Sequence, residues 1–489
     1  MTTAITIDAG HQMKSQQTSM VGATSIGREH DVINWYLIAV SIIYIAWSWV
    51  HLPSSIWVRS LLACYLVWRM KPDVIIPYML TGVQLRLNLR AGLESLEEFG
   101  AAENLTQSLT GYEQYAFTMP CVLYAVRTFF AAISSNAPRR KEFPFWLYFL
   151  YLVGMLFVIT GAVFASGKGG WTAGIRTYCL VNLYFYGLLL PVVSPRQCTK
   201  LAVGFSICGM IVFLMYALVG FRSRQLWLLL PLAGSFAPML LLRGGRLRDL
   251  ILASIYSAVG LWVGVAATFT VLLQWVWGTI AGVCLGSFRA QAGRETIAAA
   301  LTYSLFVFSV GLLFYGAFAH DPTRNAMEVA WSGSTIDKMK YKLTGDRGPI
   351  WWGAMRYLVE NPTMCGLPTW EYPMVSHGKD AVWPFSTHNI VLDPLLRLGM
   401  VAGPLVLLIL VHAVLVAKNA VAGNASVGVV VLGLAVISNI LLGGATLPYM
   451  LNDREAEHMM MTAGLLGAYG IRKSSGRGRS AVNGAISRA

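Results

Sequence analysis

The sequence predicts an all-α fold, a polytopic membrane helical bundle of 12–14 transmembrane helices with one large, partly helical loop on the outer side. Three observations predict it. Of 489 residues, 56% are hydrophobic and only 12% charged, with a mean hydropathy of +0.58, far from the makeup of a soluble domain. Apolar segments near the ~20-residue length that crosses a hydrocarbon layer of roughly 30 Å recur along the chain. One long polar stretch interrupts them, the 70 residues from His320 to Asn389.

Residues 1–31 are polar and hold no apolar core, so they read as a cytoplasmic tail, with the first membrane segment doubling as the targeting element. Clear spans fall near 32–51, 115–134, 144–166, 178–194, 201–220, 226–242, 296–318, 390–417 and 427–451. The apolar run 249–288 is too long for one crossing and reads as two. Weaker candidates are 54–70, which contains Arg59, 72–88 and 456–471. The expected domains are an N-terminal bundle over 32–318, an outer (periplasmic) loop over 319–389, C-terminal membrane helices over 390–471, and a basic disordered cytoplasmic tail over 472–489.

Charge distribution supplies the orientation. With the N-terminus inside and all 14 segments counted, the basic connectors 137–141, 195–200, 243–248 and 289–294 lie in the cytoplasm, as does the tail with its five basic residues. The long loop then faces outward. It holds seven acidic and seven basic residues, so the net charge of +14 comes from topology and not from a nucleic-acid groove. The seven cysteines are scattered, mostly in apolar runs, and form neither a disulfide framework nor a CxxC metal site. One connector departs from the charge rule. Arg222 and Arg224 fall on the outer side, where they either snorkel at the interface or face an anion.

Within the loop, Asp346-Arg347-Gly348-Pro349 reads as a helix start, with Asp346 as N-cap, and Asn361-Pro362 as its stop. Ile350, Ala354 and Leu358 share a face with Trp351 and Met355 beside it, an apolar surface for packing on the membrane domain or lying at its interface. Arg347 then sits where the helix dipole already favours an anion, unless it merely pairs with Asp346 or Glu360. Ser386 and Thr387 are candidate caps for the helix that becomes the 390–417 span, which puts His388 in its first turn. A helix N-terminus disfavours imidazolium, so His388 tends to stay neutral there, while a neighbouring phosphate would act in the opposite sense. Asp393 and Arg397, one turn apart, can neutralise each other. Trp331, Trp351, Trp352, Trp370 and Trp383 suit an interfacial belt. The spacing of His377, His388, Asp380 and Glu371 matches no zinc motif.

Arg347 followed by Trp351, then Pro362 and Gly366, then His388-Asn389 and Leu398-Gly399 with Gly403, resembles the O-antigen ligase and O-antigen polymerase superfamily. The resemblance is strongest over 340–415 and extends to Ser223-Arg224, similar to a Ser-Arg element of that family. The chain departs from the family's frequent Gly-x-Gly at Gly366-Leu367-Pro368, and has Arg397 where an acidic residue is usual. The resemblance implies a metal-independent, cofactor-free inverting glycosyltransferase of the GT-C type in a bacterial inner membrane. It implies a donor glycan carried on undecaprenyl diphosphate at the periplasmic face and transferred whole to an acceptor, either a second lipid-linked glycan or lipid A-core. It also implies that the Arg and His motifs line the diphosphate and reaction site.

The residues support the same chemistry independently. Displacement at an anomeric carbon needs a base for the acceptor hydroxyl, a role open to His388, or to Asp380 or Glu371. A departing diphosphate needs forked hydrogen bonds, which Arg347 and Arg224 can supply. Arg222, Arg356, Asn389, Trp351 and His377 are the further substrate-binding candidates. The rival from another class is a lipid-linked oligosaccharide flippase or other polytopic transporter, for which paired internal halves and a polar midplane site would be the signature. Neither is visible in the sequence.

Overall fold

The computed structural model describes residues 121–127, 144–164, 180–189, 197–203, 276–284, 347–362, 370–374, 379–383, 389–423, 426–443 and 459–468, together with 61–65, Thr387 and a few single positions. These residues are predominantly helical. We name α1 (Phe145–Phe164), α2 (Leu180–Leu189), α3 (Arg347–Glu360), β1 (Trp370–Met374), β2 (Lys379–Trp383), α4 (Leu392–Gly423), α5 (Val427–Ser438) and α6 (Met459–Ala468). Helices α1, α2, α5 and α6 lie within segments expected from hydropathy, and α4 runs six residues beyond the expected 390–417. Among the described residues one stretch is long and apolar enough to cross a membrane, Leu398–Ala422 within α4.

The helices invert the pattern of a soluble protein. On α1, Trp146, Phe149, Leu150, Val153 and Leu156 form an exposed stripe at helical spacing, while Tyr148, Tyr151 and Val158 are buried on the other side. On α4, Met400, Val401, Leu408, Val411 and Leu415 are exposed, whereas Ala402, Val406, Ile409, Ala413 and Ala417 are buried. Large apolar side chains outside suit hydrocarbon on the outer face, and on α4 the alanines inside suit close helix contact, while α1 buries the larger Tyr148 and Tyr151. On the same helix the Thr160 hydroxyl donates back to the Leu156 carbonyl (2.7 Å), finding its partner within α1.

Aromatic packing joins α1 to α2. Phe185 lies 4.6 Å from Tyr148 and 5.3 Å from Tyr151, ring centre to ring centre. The Tyr148 hydroxyl donates to Asn182 Oδ1 at 3.2 Å, and Tyr184 Oη lies 2.6 Å from His412 Nδ1 on α4. Burial of these polar side chains is tolerable because they meet partners across helices. Backbone contact joins α2 to α6. A methyl added at Gly187 would stand 2.7 Å from the Met461 carbonyl oxygen, and one at Gly464 would collide with the Tyr184 carbonyl and Gly187. Helices α4 and α5 form an antiparallel pair in which Gly433 admits Val421. Ser426 precedes α5 and donates its hydroxyl to the Pro195 carbonyl (3.3 Å), fixing where the pair begins.

The segment 319–389 contributes α3 and an antiparallel hairpin whose register pairs Trp370 with Trp383, Tyr372 with Ala381 and Met374 with Lys379. The hairpin is an addition to the expected all-helical layout. Its first strand lies against α3. Lys379-Asp380-Ala381-Val382-Trp383 runs from two polar residues to three apolar ones, so it lacks the alternation of a strand, and no turn dipeptide announces the hairpin.

The glycine crossing generates a prediction. Gly464→Val should lower the thermal midpoint of the detergent-solubilised protein more than Gly464→Ala, by about 1–3 kcal/mol of overpacking. A wild-type midpoint in Gly464→Ala, whose methyl group already collides with the Tyr184 carbonyl, would show that α2 and α6 do not meet there.

Candidate functional site

Helix α3 begins at Arg347 with Pro349 in its first turn and stops at Asn361, whose N–H donates to the Tyr357 carbonyl at 2.8 Å. Both ends fall where the sequence puts them. Ala354 and Leu358 are buried against Leu396, with Trp351, Tyr357, Leu392 and Leu395 packed around them. Met355 does not join that face; it is exposed with Trp352 and Val359. The expected face is therefore narrower than the sequence implied, because the α4 turns it packs on are short.

Two hydrogen bonds fasten α3 to α4. Trp351 Nε1 donates to the Thr387 carbonyl at 2.7 Å, and the Met400 N–H donates to the Pro362 carbonyl at 2.8 Å. The first lies one turn after Arg347 and next to His388 in sequence. The second lies just beyond the end of α3. Helix α3 is thus held near both ends.

The start of α4 corrects one expectation. Asn389 is the N-cap, not Ser386 or Thr387: its Oδ1 accepts from the N–H groups of Val391 (2.8 Å) and Leu392 (3.2 Å), and its carbonyl accepts from Asp393 N–H (2.9 Å). His388 therefore precedes the cap instead of occupying the first turn. Thr387 is fully buried and donates both its N–H (2.6 Å) and its hydroxyl (2.7 Å) to Asp393 Oδ1. Asp393 is a member of the first turn of α4, where a carboxylate also meets the positive end of the helix dipole. Pro394 has no N–H to offer the Ile390 carbonyl, which explains why regular helix bonding starts only at Leu392.

Gly399 then breaks α4. Its φ of 68° and ψ of 176° lie outside the helical region and in territory open mainly to glycine. The chain doubles back. A methyl on Gly403 would sit 2.8 Å from Leu395 Cα and 2.9 Å from the Pro394 carbonyl oxygen, although eight residues of straight helix span about 12 Å. Residues 392–398 are consequently a short arm folded against the head of the long helix, and Pro404, just over one turn into the restarted helix, offers no N–H to the Met400 carbonyl.

The sequence-predicted site residues divide as follows. Arg347 is the first residue of α3, while Arg222, Arg224, His377 and His388 lie outside the described residues. The pairing of Arg347 with Glu360 is removed: these residues close opposite ends of a helix about 20 Å long, and Glu360 accepts instead from Arg356 Nε at 2.9 Å. Arg356 is exposed and gives only its Nε to that pair, which leaves the outer edge of the guanidinium facing outward. Trp351 spends its indole N–H on the Thr387 carbonyl, and Asn389 spends its carbonyl oxygen on the cap, leaving its amide nitrogen for a ligand. Glu371 opens β1 just after Trp370, and Asp380 lies on β2 opposite Pro373. Burial pushes the Tyr357 phenol above its ordinary value, so it is no base at neutral pH.

Thr387 and Asp393 are positioning residues whose mutual partnership the sequence did not reveal. Residues six apart share no helical face, so periodicity carries no signal for it. His412 was also missed, although a lone imidazole in LVLLILVHAVLV is itself a signal. Compared with protein-family models, the chain matches none, and compared with curated proteins it matches none.

The buried carboxylate makes a prediction. Asp393→Ala leaves the Thr387 N–H and hydroxyl without their acceptor and should cost about 2–4 kcal/mol, against about 1 kcal/mol for Asp393→Asn, which keeps an oxygen. Hydrogen–deuterium exchange over 385–393 should accelerate in Asp393→Ala first. Unchanged exchange there would mean that the carboxylate does not hold the turn.

Proposed function

We propose that the chain is a polytopic membrane glycosyltransferase of the O-antigen ligase or polymerase kind. It transfers a glycan as one block from undecaprenyl diphosphate to an acceptor sugar hydroxyl at the outward face of a bacterial inner membrane, in surface-polysaccharide assembly. The expected 12–14 crossings and the outward loop belong to this proposal. One observation carries it: the 2.7 Å bond from Trp351 to the Thr387 carbonyl. Trp351 follows Arg347 by a single helical turn and Thr387 immediately precedes His388, so one contact draws the two motifs of the resemblance to a common elbow. That elbow adjoins the N-terminal end of the stretch Leu398–Ala422, which in a membrane-crossing helix would be the level of a lipid diphosphate.

In the proposed reaction His388 removes the proton from the acceptor hydroxyl. The hydroxyl oxygen attacks the anomeric carbon from the face opposite the diphosphate, and the carbon–oxygen bond to the diphosphate breaks. The electron pair leaves with the lipid diphosphate, held by the guanidinium groups of Arg347 and Arg224. The configuration inverts, and no metal is needed because the two arginines take the leaving charge. Two acceptors fit this chemistry equally: a second lipid-linked glycan, which makes a polymerase, or lipid A-core, which makes a ligase.

Transfer from synthetic undecaprenyl-diphosphate glycan to an acceptor glycan, by protein in vesicles, tests the proposal. His388→Ala should lower turnover by about 10²–10⁴-fold. Arg347→Lys and Arg224→Lys should lower it as well, with thermal midpoints preserved, because an ammonium cannot form the fork. Wild-type rates in His388→Ala would remove the base, and movement of lipid-linked glycan across the vesicle without a new glycosidic bond would replace the transferase with a transporter.

A further inference from the structure

Helix α3 has two apolar faces, and among the described residues only one of them is packed. Ala354 and Leu358 are buried against the α4 arm, while on the opposite side Trp352 is 63% exposed, Met355 49% and Val359 82%. These three positions recur at i, i+3 and i+7, so they form one continuous stripe. Along one edge of the stripe runs the exposed ion pair of Arg356 with Glu360. A helix with apolar side chains on one flank and charges on the next is built for a boundary between hydrocarbon and water.

The location of the stripe identifies which boundary. Val359 lies one turn before Pro362, whose carbonyl accepts the Met400 N–H at 2.8 Å. Met400 and Val401, each 47% exposed, begin the outward apolar stripe that continues through Leu408, Val411 and Leu415 along the candidate span. The exposed face of α3 and the exposed face of the span are therefore joined at one backbone hydrogen bond. With α3 fastened near both ends, the helix cannot swing away to hide its stripe.

We infer that the outer face of α3 is a lipid-contact surface: Trp352, Met355 and Val359 rest among phospholipid acyl chains in the leaflet at the N-terminal end of the 398–422 helix, and Arg356–Glu360 lies at headgroup level. Tryptophan suits this depth, since its ring is apolar and its N–H is polar. The surface would set the height of the elbow relative to the bilayer. It is independent of the transferase proposal and depends only on 398–422 crossing the membrane.

The full chain in phospholipid vesicles, doped with a phospholipid carrying a photoactivatable diazirine in its acyl chain, tests this without altering the protein. Mass spectrometry of the adducts should find Trp352, Met355 and Val359 labelled within about threefold of Leu408 and Val411, and buried Ala354 and Leu358 at least about tenfold less. A Trp352→Glu, Val359→Glu double variant should lose the label at Met355 and keep it at Leu408. Labelling that stops at Met400 and Val401, with α3 unlabelled, would overturn the inference. So would labelling of α3 that disappears as the protein-to-lipid ratio rises, since a second copy would then cover the stripe. Absence of label at Leu408 and Val411 as well would remove the span and the inference together, whereas labelling in a chain that shows no glycan transfer would sink the transferase alone.

Discussion

One carboxylate oxygen organises the junction between loop and membrane helix. Asp393 Oδ1 receives two short hydrogen bonds from Thr387, in a setting where an unpartnered carboxylate would cost several kcal/mol. The bonds are charge-assisted and the helix dipole adds to them, so the turn before α4 has one strongly preferred shape. Holding Thr387 in place fixes the carbonyl that receives the Trp351 indole, and thereby the first turns of α3. The second fastening, Met400 to Pro362, needs no side chain at all. The position of the loop helix thus depends on a buried acid, an indole and two backbone carbonyls.

The break at Gly399 follows from length. Without it, the 32 residues of α4 would extend about 48 Å, well beyond a hydrocarbon layer of roughly 30 Å, and would carry Asp393 far from the membrane surface. Folding residues 392–398 back against Gly403 shortens the rod and turns the arm into a shelf on which Ala354 and Leu358 can pack. Two glycines do this for different reasons. Gly399 supplies a backbone conformation that L side chains avoid, and Gly403 supplies the space into which Leu395 and Pro394 fit. The same use of missing side chains recurs between α2 and α6, where Gly187 and Gly464 let two backbones touch inside the apolar core.

Much of this was legible because membrane sequence and helix punctuation obey strong local rules. The apolar runs, the Pro349 start and the Asn361 stop of α3 all involve residues close in the chain, and the structure puts them where periodicity and capping chemistry do. What escaped the sequence was non-local or balanced between equals. Thr387 and Asn389 are both good caps two residues apart, and the contest went to Asn389 because Asp393 had already engaged Thr387. Trp351 and Met355 lie on one side of the stripe, Trp351 nearer its centre, and only the indole has an N–H to give the Thr387 carbonyl. The hairpin was hidden because ten strand residues without a turn dipeptide carry little period-2 signal. Arg224 and His377 lie outside the described residues, and Arg347 is described there only as the opening of α3, so the chemistry assigned to them rests on the sequence.

The two classes of polar group in this chain are held by different logic, and the contrast bears on where reactivity can reside. Tyr184–His412 and Tyr148–Asn182 are sealed among apolar helices, each joined to a partner on another helix, and their effect is to fix helix positions. The Thr387–Asp393 pair is equally buried but adjoins α3, which carries an exposed ion pair and against which the hairpin's first strand lies. A buried lock next to an exposed edge gives a rigid frame beside which a mobile substrate can bind. Arg347 and His388 stand in sequence one turn and one residue from the frame's two hydrogen-bonding members. In the proposed transferase, arginine and imidazole groups attached to such a frame would lose less entropy on meeting a ligand than groups on a free loop.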